Sequence, residues 1–161
     1  MHDRHTAEVK PPALEVVRQL ADWSHWVPFA AARESAPQVP GVYLAREGAT
    51  GDLVYVGMAG ERRGQGIRGR LTVYARGKAL ASGLGEAVLD RALADSQWLH
   101  DRVREVDGGH ARRATQWGVI AFERADLHVS WAVAADGPAA RTLEKEILSA
   151  LAEHALWNRL R

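Results

Sequence analysis

Residues 57–69 hold five glycines, at 57, 60, 64, 66 and 69, too many for a regular element to run through the stretch. What lies on either side must be joined by an irregular loop. On the N-terminal side, two β-rich runs at 41–45 and 53–57 flank a Gly- and Asp-containing segment at 46–52, which predicts a β-hairpin. On the C-terminal side the loop leads into a helix predicted over 67–76. From Arg62 to Lys78 the chain carries six cations (Arg62, Arg63, Arg68, Arg70, Arg76, Lys78) and no acid. A glycine-rich, acid-free basic run lets backbone and arginines approach phosphates closely, and a solvated basic face is the plainer reading of the same pattern.

The rest of the pattern completes an α+β plan. Pro12 opens a first helix to about 21, and Trp23, Trp26 and Phe29 serve as anchors in the linker that follows. Helices are expected at 84–106 and 111–123, with Gly108 and Gly109 between them. A third strand is expected at 127–134, where Leu127, Val129, Trp131 and Val133 alternate with smaller or polar residues. Pro138 then opens a last helix to about 153. The expected fold is a small, mainly antiparallel three-stranded sheet flanked by helices. Residues 1–38 form an N-terminal tail and helix; residues 39–161 form the main domain, with a helical insertion at 77–125.

At 161 residues the chain fits one domain. Lys and Arg number 21 against 20 Asp and Glu, for a net charge of +1, so attraction to a polyanion has to come from clustering. Only three of the 21 cations are lysines; the arginine bias suits phosphate recognition, and GC-rich coding produces it equally. There is no cysteine, which excludes disulfides, thiolate metal sites and a thiol nucleophile. The seven histidines form no metal-spaced pair within a helix. No leader-like or membrane-length apolar run occurs, so the expectation is an unanchored, cytoplasmic protein with no membrane partner.

All three tyrosines of the chain, Tyr43, Tyr55 and Tyr74, fall in the hairpin and the following helix. Each alone is an ordinary structural tyrosine. Arg70 and Tyr74 stand at i and i+4, on one helix face. On the last helix, Glu144 interrupts the apolar stripe of Leu143, Ile147, Leu148 and Leu151, whereas Glu146 falls on the solvent face with Lys145, Ser149 and Glu153. A carboxylate on an apolar stripe needs a cation, a metal or a donor opposite it.

Gly41-Val42-Tyr43, eleven intervening residues, Tyr55-Val56-Gly57, Arg70 with Tyr74, a C-terminal helical Glu144 and then Asn158 together resemble the GIY-YIG nucleases. The resemblance spans 41–158 and is nearest to the nuclease domain of the nucleotide-excision-repair incision protein. It implies a metal-dependent endonuclease that hydrolyses DNA phosphodiester bonds. The implied site residues are Tyr43, Tyr55, Arg70, Tyr74, Glu144 and Asn158, with Glu144 as the ligand of one divalent ion, Mg2+ or Mn2+. In the family's mechanism the first tyrosine, here Tyr43, helps to deprotonate water, which asks for assistance because a phenol ordinarily ionises near pH 10. Arg62, Arg63, Arg68, Arg76 and Lys78 are the expected nucleic-acid contacts.

Three departures stand out. Met58 replaces a usual lysine, the loop to Arg70 is longer, and Glu144 lies two residues further from Asn158 than usual, which makes Glu146 the rival ligand. With no separate DNA-reading domain in these residues, specificity is weak, comes from a protein partner, or resides in the insertion, where Arg102, Arg104, Arg112 and Arg113 are candidate contacts or an ordinary helix surface. The alternative function is a non-catalytic nucleic-acid-binding or protein-interaction module of the same fold. The nuclease reading requires Tyr43, Tyr55, Arg70, Tyr74 and Glu144 to gather on one sheet face, and it fails if Tyr43 and Glu144 project from opposite faces.

Overall fold

The computed structural model describes residues 9–159. Its elements, in chain order, are α1 (Ala13–Arg18), β1 (Val27–Pro28), α2 (Phe29–Ser35), β2 (Gly41–Glu47), β3 (Leu53–Ala59), α3 (Gly66–Ala75), α4 (Gly83–Leu93), α5 (Ser96–Asp107), α6 (Ala114–Ala125), β4 (Leu127–Val133) and α7 (Gly137–Ala150). The class is α+β with an antiparallel sheet, and the sheet has four strands in the order β1-β4-β2-β3, not three. The additional strand is two residues long and ends in Pro28, which lacks a donor and so is confined to a sheet edge. No alternation pattern can be read from two residues.

Two further differences have local causes. The stretch 84–106 is two helices, because the Asp95 side chain accepts hydrogen bonds from the backbone N–H groups of Gln97 and Trp98 and caps a new helix start. The linker after α1 contains α2, whose Phe29, Ala32 and Ala36 neighbourhood is part of the main core. The last helix starts as its sequence indicates: Asp136 accepts from Ala139 N–H at 2.8 Å, and Pro138 occupies the first turn.

Both faces of the sheet are covered. On one face Tyr43, Ala45, Tyr55, Ala59 and Val129 join Ile67, Leu71 and Tyr74 of α3, Leu84, Val88 and Ala92 of α4, and Ala121 and Phe122 of α6. On the other, Val42, Leu44, Leu53 and Val56 meet Val17 of α1 and Ile147 and Leu151 of α7. The 77–125 region is therefore built into the first core rather than appended to it.

The β2–β3 register decides where the phenols point. Tyr43 pairs with Gly57 and Ala45 with Tyr55, and the register shifts only beyond Ala45. Val54 is the extra residue, which is why Val54 and Tyr55, adjacent in sequence, both join the same core. Because the bulge lies toward the hairpin tip, both tyrosines keep to one face.

Candidate functional site

The three phenols form one cluster. Tyr43 and Tyr55 stack with ring centroids 6.2 Å apart, and Tyr43 meets Tyr74 edge-on at 6.5 Å. Their hydroxyls meet as well, with 3.4 Å between Tyr43 Oη and Tyr74 Oη. A Cβ on Gly57 would fall 2.3 Å from both Cζ and Oη of Tyr43, so the missing side chain at 57 is the space the Tyr43 ring occupies. Tyr74 also stacks on Phe122 of α6 at 5.8 Å, and its hydroxyl accepts a hydrogen bond from Leu84 N–H at 3.2 Å.

Arg70 sits one turn before Tyr74 on α3, with its guanidinium carbon 5.8 Å from the centre of the Tyr74 ring. Its Nε is buried and has no hydrogen-bond partner among the described residues. The ion pairs of the described residues use neither Arg70 nor Glu144. A guanidinium with a free, buried donor beside three phenols is a group held ready for an oxygen acceptor.

Glu144 is half-buried and Glu146 is exposed, as the helical wheel requires. Burial pushes the Glu144 carboxyl above its ordinary value, and Arg141, Arg70 and Lys145 pull it back in part. The one-face arrangement does not hold for its helix: α7 lays Ile147 and Leu151 against the face opposite the phenols. β3 is an edge strand, and α7 packs against both β3 and β2. After burial and Tyr74, the Glu144 carboxylate raises the Tyr55 phenol further, and Arg70 lowers it. The Glu144 carboxylate is thus coupled electrostatically to Tyr55 and Arg70, while its helix packs against the face opposite Tyr43.

The phenols are unlike one another in access. Tyr43 and Tyr74 are each 1% exposed and Tyr55 is 8% exposed. Burial, the neighbouring Tyr74 and Tyr55, and the hydrogen bond to Tyr74 hold Tyr43 well above the usual phenol range, with Arg70 only partly offsetting them. Burial also raises Tyr55 above that range. Both remain protonated at neutral pH, so the expectation that Tyr43 takes a proton from water runs against its surroundings.

Asn158 has a different job. Its amide donates to Val56 C=O at 2.7 Å and accepts from Val56 N–H at 3.0 Å, and Trp157 N–H donates to Val54 C=O at 2.6 Å. This pairing fastens the C-terminal segment to β3 beside Tyr55 and commits the amide to backbone.

The basic run is divided. Arg62, Arg63, Arg76 and Lys78 are exposed. Arg68 is turned inward, its Nε donating to Ala36 C=O at 2.7 Å, so it ties α3 to the end of α2. In the 77–125 region, Arg102 and Arg112 pair with Glu105 at 3.0 Å each, and Arg104 pairs with Asp101. Of the four insertion arginines named from sequence, only Arg113 has no acidic partner among the described residues.

No group of three or more metal-ligating side chains occurs among the described residues, and no helix among them is long and apolar enough to cross a membrane. Two residues beside the phenols carry no sequence signal: Gly83 and Leu84, the first residues of α4. Comparison with family models, with curated proteins and with solved structures yields no match. The functional reading therefore stands on the residues and their arrangement.

Proposed function

We propose that this protein is a metal-dependent DNA endonuclease of GIY-YIG type. The observation that carries the reading is the meeting of Tyr43, Tyr55 and Tyr74 beside Arg70, whose Nε has no partner among the described residues, with the half-buried Glu144 coupled electrostatically to Arg70 and Tyr55. Phosphodiester hydrolysis needs a placed water, stabilisation of charge on the phosphoryl oxygens and relief of the leaving oxygen. Arg70 supplies the second need through a guanidinium that no hydrogen bond or ion pair among the described residues occupies. Tyr55, the least buried phenol, holds the attacking water or a phosphate oxygen with its hydroxyl, while Tyr43 and Tyr74 fix Tyr55 from behind.

A single carboxylate suits a hard divalent ion that keeps most of its shell as water and phosphate oxygens, which is the manner of Mg2+. Glu144 would hold Mg2+ or Mn2+, and the bound ion supplies neutralisation of the leaving oxygen. Opposite charge on the carboxylate also offsets the desolvation that raises it when alone. Arg62, Arg63, Arg76 and Lys78 would hold the DNA backbone outside the reacting phosphate. A specificity-giving protein partner and a cytoplasmic location complete the proposal.

A non-catalytic nucleic-acid-binding module of the same fold is favoured by one observation, the depth of Tyr43 and Tyr74. Incubation of supercoiled plasmid and of single-stranded DNA with the protein, with Mg2+ and with chelator, separates the two. Nicking that needs the metal and is lost in Glu144→Gln supports the nuclease; binding without cleavage in either metal overturns it.

A further inference from the structure

The 77–125 region contributes to the phenol cluster through the first turn of α4. Leu84 N–H occupies a lone pair of Tyr74 Oη at 3.2 Å and so fixes the hydroxyl that Tyr74 shares with Tyr43. A Cβ on Gly83 would lie 2.5 Å from Tyr74 Oη and 3.3 Å from Tyr55 Oη. A side chain at 83 would thus collide with the Tyr74 hydroxyl and crowd that of Tyr55. Gly85 continues the approach, with its Cβ position 3.3 Å from the Tyr74 ring. Leu84 and Val88 on the same helix are buried in the core that holds the phenols.

The C-terminal segment clamps the solvent side of α4. Arg159 pairs with Glu86 at 2.8 Å and with Asp90 at 3.2 Å, and the Arg91 guanidinium lies 4.2 Å from the centre of a Trp157 ring. Trp157 and Asn158 are themselves fastened to β3 at Val54 and Val56. A continuous set of contacts therefore runs from the strand bearing Tyr55, through the C-terminal segment, to α4 and back to Tyr74.

We infer that Gly83 and Leu84 are positioning residues of the nuclease site, and that the Arg159–Glu86 clamp holds α4 where its first turn orients the phenols. This rests on the nuclease reading for its effect on turnover. The geometry also makes a claim independent of turnover: α4 touches Tyr74, and a side chain at 83 would reach Tyr55. Placing the reacting groups within a fraction of an ångström is what such a wall contributes, and a misplacement near 1 Å is enough to cost about 10²-fold in rate. A wall that does not touch substrate affects kcat and leaves KM nearly alone.

The test compares Gly83→Ala with Gly109→Ala. Both glycines have positive φ, +56° and +78°, but a Cβ at 109 meets nothing within 4 Å. Backbone strain is common to the two variants, and contact with phenols is not. The expected result is a loss of about 10²-fold in kcat for Gly83→Ala with KM little changed, and wild-type turnover for Gly109→Ala. The second readout is alkaline titration by phenolate absorbance. The chain has three tyrosines, all in the cluster, so Gly83→Ala should bring at least one phenol down toward its ordinary range, with Gly109→Ala matching wild type.

If Gly83→Ala does not fold, Arg159→Glu at an exposed position serves in its place, with a severalfold loss of kcat expected and recovery on adding Glu86→Arg. Wild-type kcat and titration in Gly83→Ala, or in Arg159→Glu where that variant stands in, overturn the inference and leave the nuclease reading intact. A wild-type protein that cleaves no DNA, together with a shifted titration in Gly83→Ala, removes the nuclease reading and upholds the contact of α4 with the phenols.

Discussion

Gly57→Ala isolates the fit between β3 and the Tyr43 ring. The new methyl would stand 2.3 Å from Cζ and Oη and 2.9 Å from Cε1 of Tyr43. Comfortable carbon contacts begin near 3.5 Å, so ring or strand must yield by roughly 1 Å. Neither has room to do so: the ring is buried between Tyr55 and Tyr74, and residue 57 is paired within the sheet opposite Tyr43 itself. Overpacking of this kind costs about 1–3 kcal/mol. At about 2–4 °C per kcal/mol for a chain of this size, the melting temperature should fall by about 2–12 °C. Thermal unfolding followed by circular dichroism measures the fall. The partner variant Tyr43→Leu removes all three atoms that the methyl would strike, so Gly57→Ala should cost much less in that background than in the wild type. Equal costs in the two backgrounds, or an unchanged melting temperature in the single variant, would refute the placement of the ring over Gly57.

Four other outcomes follow from the site. Tyr43→Phe removes a hydroxyl whose bond to Tyr74 is long, so it should cost only about 1 kcal/mol or less in urea unfolding, with a larger effect on plasmid nicking. Glu144→Gln should abolish Mg2+-dependent cleavage while Glu146→Gln retains most of it; the reverse order would put the ligand two residues on. The raised Glu144 carboxyl also fixes a sign without metal: its contribution is fully present below the ordinary carboxylate range and is lost as pH rises through the raised folded value. Glu144→Gln should therefore gain stability on wild type as pH rises from 4 toward neutrality in chelator, and denaturant midpoints across that range report it. Arg70→Ala should reduce kcat far more than DNA affinity, whereas alanine at Arg62 or Lys78 should lower the salt slope of binding by about 0.7–0.9 each, and Arg68→Ala should leave that slope alone and lower the melting temperature.

Much of the architecture was legible because it depends on short-range signals. β-rich runs flanking a turn gave β2 and β3 and alternation gave β4; Asp136 with Pro138 gave the start of α7; the wheel separated Glu144 from Glu146. What escaped depends on distant partners. β1 exists because β4 has a free side for Val27 and Pro28, which two residues cannot announce. The break at Asp95 was present in sequence as a capping residue before Ser96, but the apolar periodicity running through 84–106 concealed it. The cations illustrate the same boundary: composition could count Arg68 with its neighbours, and only the end of α2 shows that its guanidinium is already engaged. The side on which α7 packs depends on how the β4–α7 connection passes the sheet, so the relation of Glu144 to Tyr43 lay beyond any helical wheel.

The amide of Asn158 has a bearing on how the molecule ends its sheet. A strand at the border of a sheet offers unpaired donors and acceptors to any other extended chain. By giving Val56 both a donor and an acceptor, one side chain stands in for a neighbouring strand over one residue, and Trp157 covers Val54 beside it. A chain cut before residue 157 would lose the Trp157 packing on the core and uncover that border, and the natural way for the border to be satisfied again is against the same border of a second copy. Self-association of such a truncated form, suppressed in the full chain and released by Asn158→Ala, would make the last few residues guardians of solubility as much as components of a site.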